Sequence, residues 1–259
     1  MGHIRLGQLP KTRKWAGVFS LLSGATISAA DFSEEIALAA RDEFAALKGN
    51  QGISYCFWIL ARIVTAARSD NFVAELTRLG IKTSHIDSGL GFVKQVGEAV
   101  QREVRKRSGP SVFVEIAQLT LREILVSNVA SQSQSLFGTT IADVQRACRA
   151  VSTQRLFGAI AREFFAKFMA RSIQHLSDKE ISNHIGPAGP LSSSDAVLKF
   201  YAALERYCVE TSRIVEDYSG GWLSKQNWET NNDITEDAAL GFTAYALEKL
   251  QMELQRDRR

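Results

Sequence analysis

The chain has 259 residues, 45% hydrophobic and 23% charged, with 4 prolines and 18 glycines. That excludes a disordered, collagen-like or low-complexity polymer and allows one large domain, or two smaller ones, around a sizeable core. The 31 basic and 28 acidic residues leave a net charge of +3, too little to make nucleic-acid or membrane binding a property of the whole surface, so any basic interface must be local.

Residues 1–30 read as a basic N-terminal arm and a first short helix. Arg5, Lys11, Arg13 and Lys14 occur in the arm with no acid, beside Ile4, Leu6, Leu9 and Trp15. Three uses stay open: a strap on its own domain, an insert in a partner protein's groove, or a phosphate contact with Trp15 stacking. The stretch from Ala16 to Ala30 superficially resembles a signal peptide. Gly17, Ser20, Ser23, Gly24, Thr26 and Ser28 break it, and the basic segment before it is long and contains Pro10, so export is not expected. Leu6 stands where a myristoylation signal needs Ser or Thr.

Residues 31–185 read as the main helical bundle. Asp31 and Glu34 form a capping box, after which Phe32, Ile36, Ala40, Phe44 and Leu47 keep helical spacing until Gly49-Asn50. Ile53–Ala67 is apolar nearly all round. As a helix it is roughly 22 Å long, short of the roughly 30 Å bilayer core, and Arg62 in its middle argues further against a membrane span. A central helix surrounded by others is expected. Ser69-Asp70 caps a short helix that ends at Gly80. Phe92, Val93, Val96, Ala99, Val100 and Val104 then form one stripe from Leu90 to Arg107, stopped by Ser108-Gly109-Pro110. Ser111–Ala130 continues in helix, although Val112–Ile116 read by itself could pass for a strand. Thr140 caps a helix to Ala150, and Ser152-Thr153 opens a long one that buries Leu156, Phe157, Ile160, Phe164, Phe168, Ile173 and Leu176.

Gly186, Pro187, Gly189, Pro190 and three serines mark residues 186–194 as a linker. Residues 195–259 are expected to form a helical pair packed on the bundle. One member runs from Asp195 to Tyr218, a glycine- and amide-rich loop follows, and Thr235 caps the other, with Leu240, Thr243, Leu247, Leu250 and Leu254 on one side. The fold class is thus all-α, an irregular bundle of about nine or ten helices.

Chemistry is sparse. Cys56, Cys148 and Cys208 are far apart, with no CxxC and no histidine cluster, which suits core packing in a reducing cytoplasm. His175, Asp178, Glu180 and His184 lie near the end of the long helix. His175 and His184 are on opposite sides of it, so at most the pairs His175/Asp178 and Glu180/His184 share a face, and Asn183-His184 is a candidate functional loop. Arg102, Arg105, Lys106 and Arg107 sit at a helix C-terminus, where the dipole favours cations. No phosphate loop, dinucleotide fingerprint or nucleophile elbow has its required context, so no catalytic residue, metal or cofactor is expected. Trp222 and Trp228 fall in the segment Ser219–Glu229, read as a loop, and are either anchors folded on the core or an interface with Lys225 and Asn227.

GHIRLGQLPKTRKW at the start, SNHIGP at 182–187 and GGWLSKQNWE at 220–229 resemble a family of uncharacterised bacterial proteins of multigene, defence-type operons. The resemblance implies a component of a larger, antiviral assembly and carries no catalytic residue. The expected function is a cytoplasmic, non-enzymatic helical subunit or adaptor. Its partner would be another protein of the same operon or complex, bound through Arg5, Lys11, Arg13, Lys14, Trp15, Trp222, Lys225, Asn227 and Trp228. A nucleic-acid accessory protein using the arm is the alternative, and an enzyme of unrecognised type the third.

Overall fold

The computed structural model describes residues 37, 39, 40, 43–133, 139–183 and 193–256. Among them the backbone is helical throughout, with turns and short connections but no strand. The arm of residues 1–30, the Asp31/Glu34 capping box and most of the 186–194 linker lie outside the described residues. Helical backbone covers the described part of 37–46, burying Ala37, Ala40 and Phe44, and Gly49 turns the chain at φ +80°. Nine α-helices follow: α1 (Gln51–Ala66), α2 (Phe72–Arg78), α3 (Gly89–Arg107), α4 (Val112–Leu125), α5 (Ile141–Ala150), α6 (Gln154–Asn183), α7 (Ser194–Thr211), α8 (Arg213–Glu229) and α9 (Glu236–Arg256). The all-α expectation is met.

Several helix starts are closed by side-chain hydrogen bonds; α2 is not, since its N-cap is Asn71 rather than the expected Ser69-Asp70 and makes no side-chain cap bond. Asn50 Oδ1 accepts from the amides of Gly52 and Ile53, both at 3.0 Å, and Ser88 Oγ accepts from Gly91 at 2.9 Å. Thr140 and Asp143 form a reciprocal capping box, and Thr235 Oγ1 accepts from Ala238 at 3.1 Å. Ser193 caps α7 by accepting from Ala196, and Ser194 is its first residue, so the last two residues of the expected linker belong to a helix start.

α1 is the central helix. It packs against α2, α3, α4, α5 and α9, and every one of its residues except Gln51 and Trp58 is buried. Each of Ile53, Phe57, Leu60 and Ile63 contributes about 1.5–3 kcal/mol relative to exposure. Phe57 stacks on Phe242 of α9 at 4.8 Å between centroids and meets Phe157, Phe164 and Phe165 of α6 at 5.4–6.0 Å. The Val112–Ile116 ambiguity resolves to helix because α4 buries Val114, Ala117, Leu121, Ile124 and Leu125 at three- and four-residue spacing. α4 widens into a π-turn over Val126–Ala130, where Ser127 and Asn128 side chains donate to the carbonyls of Glu123 and Ile124 and compete with the backbone ladder. Leu156, expected in the core, is 43% exposed in the first turn of α6.

The C-terminal part corrects two expectations. The helix expected over Asp195–Tyr218 breaks at the buried Ser212, and helix α8 then runs straight through Gly220-Gly221 to Glu229. Residues 194–256 therefore hold three helices rather than a pair, and Ser219–Glu229 is not a loop. Paired glycines ordinarily mark a turn. Here they mark a helix crossing: a Cβ on Gly220 would run into the Gln154 carbonyl oxygen of α6, and one on Gly158 would sit 2.9 Å from the Glu216 carbonyl oxygen of α8. At each approach a glycine of one helix lets the backbone of the other come close.

Two neighbouring substitutions test this. Gly220→Ala should destabilise the protein by about 1–3 kcal/mol through overpacking. Gly221→Ala, whose Cβ meets nothing nearer than the Gln154 amide at 3.9 Å, should stabilise by about 0.5–1 kcal/mol through helix propensity. Urea unfolding curves read both, and equal effects would contradict the crossing.

Candidate functional site

The most apolar helix carries one polar line. Trp58, Arg62 and Thr65 stand at i, i+4 and i+7 of α1 and so share a face. Trp58 Nε1 donates to the Ile234 carbonyl at 2.8 Å, and Arg62 Nη1 donates to the Asn232 carbonyl at 2.8 Å. Thr65 Oγ1 donates to Asn227 Oδ1 at 3.1 Å. Two of these acceptors, Asn232 and Ile234, lie on the corner between α8 and α9, and the third, Asn227, is in the last turn of α8. That corner turns through two consecutive left-handed residues, Asn231 at φ +52° and Asn232 at φ +67°. Asparagine tolerates this region better than other side chains, and Asn232 N–H donates to the Asn227 carbonyl at 2.9 Å to close the end of α8.

Arg62 is 5% exposed. Its guanidinium pairs with Asp233 at 2.7 Å and lies 3.6 Å from Glu75 of α2, which also pairs with Arg78. Burial lowers the Arg62 pKa from its ordinary value and Asp233 opposes that shift. Above these groups opens a polar cleft of about 710 Å³. Its walls come from α1 and the following turn (Thr65, Arg68, Asp70), from α2 and from Thr230–Asp233. Arg68 donates through Nε to Ser152 Oγ at 3.1 Å and through Nη2 to the Ser152 carbonyl, which ties α1 to the α5–α6 junction. Two buried donors in this region have no partner, Arg62 Nε and Asn227 Nδ2.

The residues proposed from sequence are dispersed. Asn227 is buried with its carbonyl oxygen on Thr65. Trp222 is half-buried, 4.4 Å between centroids from Phe242 and 5.9 Å from Phe57, and so anchors α8 to the core. Lys225 is exposed and pairs with Glu229 at 3.7 Å. Trp228 is 88% exposed. Asn183 is the last residue of α6, and His184 is outside the described residues, as are Arg5, Lys11, Arg13, Lys14 and Trp15. His175 sits edge-on to Phe113 at 6.3 Å between centroids, and Asp178 accepts from the Tyr201 hydroxyl at 3.2 Å. Most of the basic cluster at the end of α3 is internally matched: Arg102 donates to the Gly80 carbonyl, Lys106 pairs with Glu103, and Arg107 pairs with Glu103 and Glu236 while stacking over Tyr55 at 4.3 Å.

Among the described residues, no group of three or more His, Cys, Asp or Glu side chains is placed to hold a metal, and no helix is long and apolar enough to cross a membrane. Compared with protein-family models, curated proteins and solved structures, the chain matches none.

Sequence reasoning noticed Arg62 only as an obstacle to a membrane span. The usable signal was there: a lone cation in the most apolar helix requires a buried acceptor, and Asn231-Asn232-Asp233 is a polar turn able to supply one. Arg62→Ala should cost about 2–5 kcal/mol in urea unfolding, because it leaves a cavity in α1, removes the bonds to the Asn232 carbonyl and Asp233 and leaves Glu75 with Arg78 alone. Asp233→Asn, at a side chain 75% exposed, should cost under about 1 kcal/mol.

Burial raises the Asp178 pKa above its ordinary value and pushes the Tyr201 hydroxyl up to about 12. The folded protein therefore holds the Asp178 proton more readily than the unfolded chain, and the stability this gives at low pH is lost as pH rises through the raised value. Asp178→Asn should raise the melting temperature at pH 7 and leave it unchanged near pH 3, below the ordinary carboxyl value of about 3.9.

Proposed function

We propose that the chain is a non-enzymatic helical subunit or adaptor that docks another protein of its assembly at the C-terminal end of α8. The observation that carries this reading is Trp228, 88% exposed on a regular helical turn. The backbone beneath it is fixed: Asn227, one residue earlier, is bonded to Thr65, and the Asn232 amide closes the helix end. An indole on fixed backbone buries large apolar area on binding with little entropy loss, and tryptophan is enriched among residues that dominate interface energies. Lys225, one turn earlier, supplies a solvated rim with Glu229.

The resemblance of the N-terminal arm, SNHIGP and GGWLSKQNWE supports a bacterial, antiphage-defence setting for that assembly. The buried, unbridged Cys56, Cys148 and Cys208 support a reducing cytoplasm. Arg5, Lys11, Arg13, Lys14 and Trp15 supply a second partner contact in this reading.

Mass measurement of the complex recovered from the native host tests it, together with two tryptophan variants. Trp228→Ala should keep the melting temperature and lose the stoichiometric partner, an affinity loss of about 2 kcal/mol or roughly thirtyfold. Trp222→Ala should instead lower stability by about 3–5 kcal/mol. Retention of the partner by a folded Trp228→Ala protein would refute docking at this point, and salt-sensitive nucleic-acid binding by the purified chain would favour the accessory role instead.

A further inference from the structure

The Arg62 cleft has a chemical bias that its balanced charge conceals. It is lined by three arginines, Arg62, Arg68 and Arg78, and three carboxylates, Asp70, Glu75 and Asp233. Glu75 and Asp233 are already committed to Arg62 and Arg78. Asp70 is the one lining carboxylate that forms no ion pair among the described residues. The donors are less exhausted. A guanidinium carries five N–H groups; Arg68 commits Nε and Nη2 to Ser152, Arg78 commits Nη2 to Glu75, and Arg62 Nε is buried with no partner. The uncommitted charged functionality is therefore mainly cationic N–H, converging on one space from α1, the turn after it and α2, with Asp70 as the one carboxylate in no ion pair among the described residues.

We propose that this cleft binds a small phosphomonoester. Its phosphate would sit between Arg68 and Arg78 above the Arg62 guanidinium, and a hydroxyl of its organic part would donate to Asp70. Arginine suits phosphate because its planar fork matches tetrahedral oxygens and keeps its charge at all working pH. A volume of about 710 Å³ exceeds the need of a phosphate ion and falls in the roughly 300–1,000 Å³ range of small-ligand pockets. Arg62 gives the site its depth: at 5% exposure its charge acts from low-dielectric surroundings, and an acceptor reaching the floor would satisfy Nε. The inference stands independently of docking through Trp228.

Calorimetric titration of the full chain with glycerol 3-phosphate and with inorganic phosphate, at matched ionic strength, tests the site. Saturable one-to-one binding is expected for both, with glycerol 3-phosphate tighter. Arg68→Gln/Arg78→Gln removes exposed side chains, and circular dichroism verifies that the variant is folded; it should weaken both ligands at least tenfold. Asp70→Ala should weaken glycerol 3-phosphate alone. Four results would overturn the proposal: no saturable heat with either ligand, unchanged affinity in the folded double variant, an equal response to chloride, or tighter binding of acetate or citrate than of glycerol 3-phosphate. The last would assign the cleft to carboxylates.

Discussion

One guanidinium organises the molecule. Arg62 stands in the middle of a buried helix that packs against five others, where a charge without partners would be intolerable. Its partners come from the next helix, Glu75 of α2, and from far along the chain, the Asn232–Asp233 corner after α8. Satisfying that charge fixes where the α8–α9 corner must lie, and Trp58 and Thr65 on the same face of α1 repeat the constraint one turn to either side. A purely apolar α1 would pack as tightly but would leave the approach of α8 and α9 less defined. A buried ion pair is weak evidence for stability, so its role here is to specify geometry.

The same constraint divides the surface into two regions of different character. On the cleft side, the corner held by Arg62 forms one wall against Arg68 and Arg78. At the end of α8, Asn227 is drawn inward to Thr65 and the next residue, Trp228, is left facing solvent. The close crossing of α8 on α6 at Gly158 and Gly220 supports this from behind, since it lets α8 lie near enough for Trp222 to join the Phe57–Phe242 aromatic cluster.

Local rules recovered most of the fold. Thr140 and Thr235 are caps legible from one residue and its successors, and the stripes of α3 and α9 follow from helical spacing. Where sequence reasoning failed, the deciding contact was tertiary. Gly220-Gly221 has the composition of a turn, and only the backbone of α6 across the interface explains Gly220 within a helix. Leu156 has the spacing of a core residue but lies in the first turn of α6, where it is 43% exposed. The cleft was hidden for the same reason: Asp233 is far along the chain from Arg62 and Glu75, and nothing in their separate neighbourhoods announces that they meet.

The central claim is that the α1 polar line, and Arg62 above all, holds the α8–α9 corner in place. Native-state hydrogen exchange on Arg62→Met, which retains apolar volume in α1 while removing the charge, tests it directly. The account predicts a selective loss of amide protection from Gln226 to Ala239, where Thr230, Asn232 and Ala239 donate in the end of α8 and the first turn of α9, with α4 and α6 retaining theirs once the change in global stability is subtracted. Uniform loss across all helices, or full protection at the corner, would contradict it.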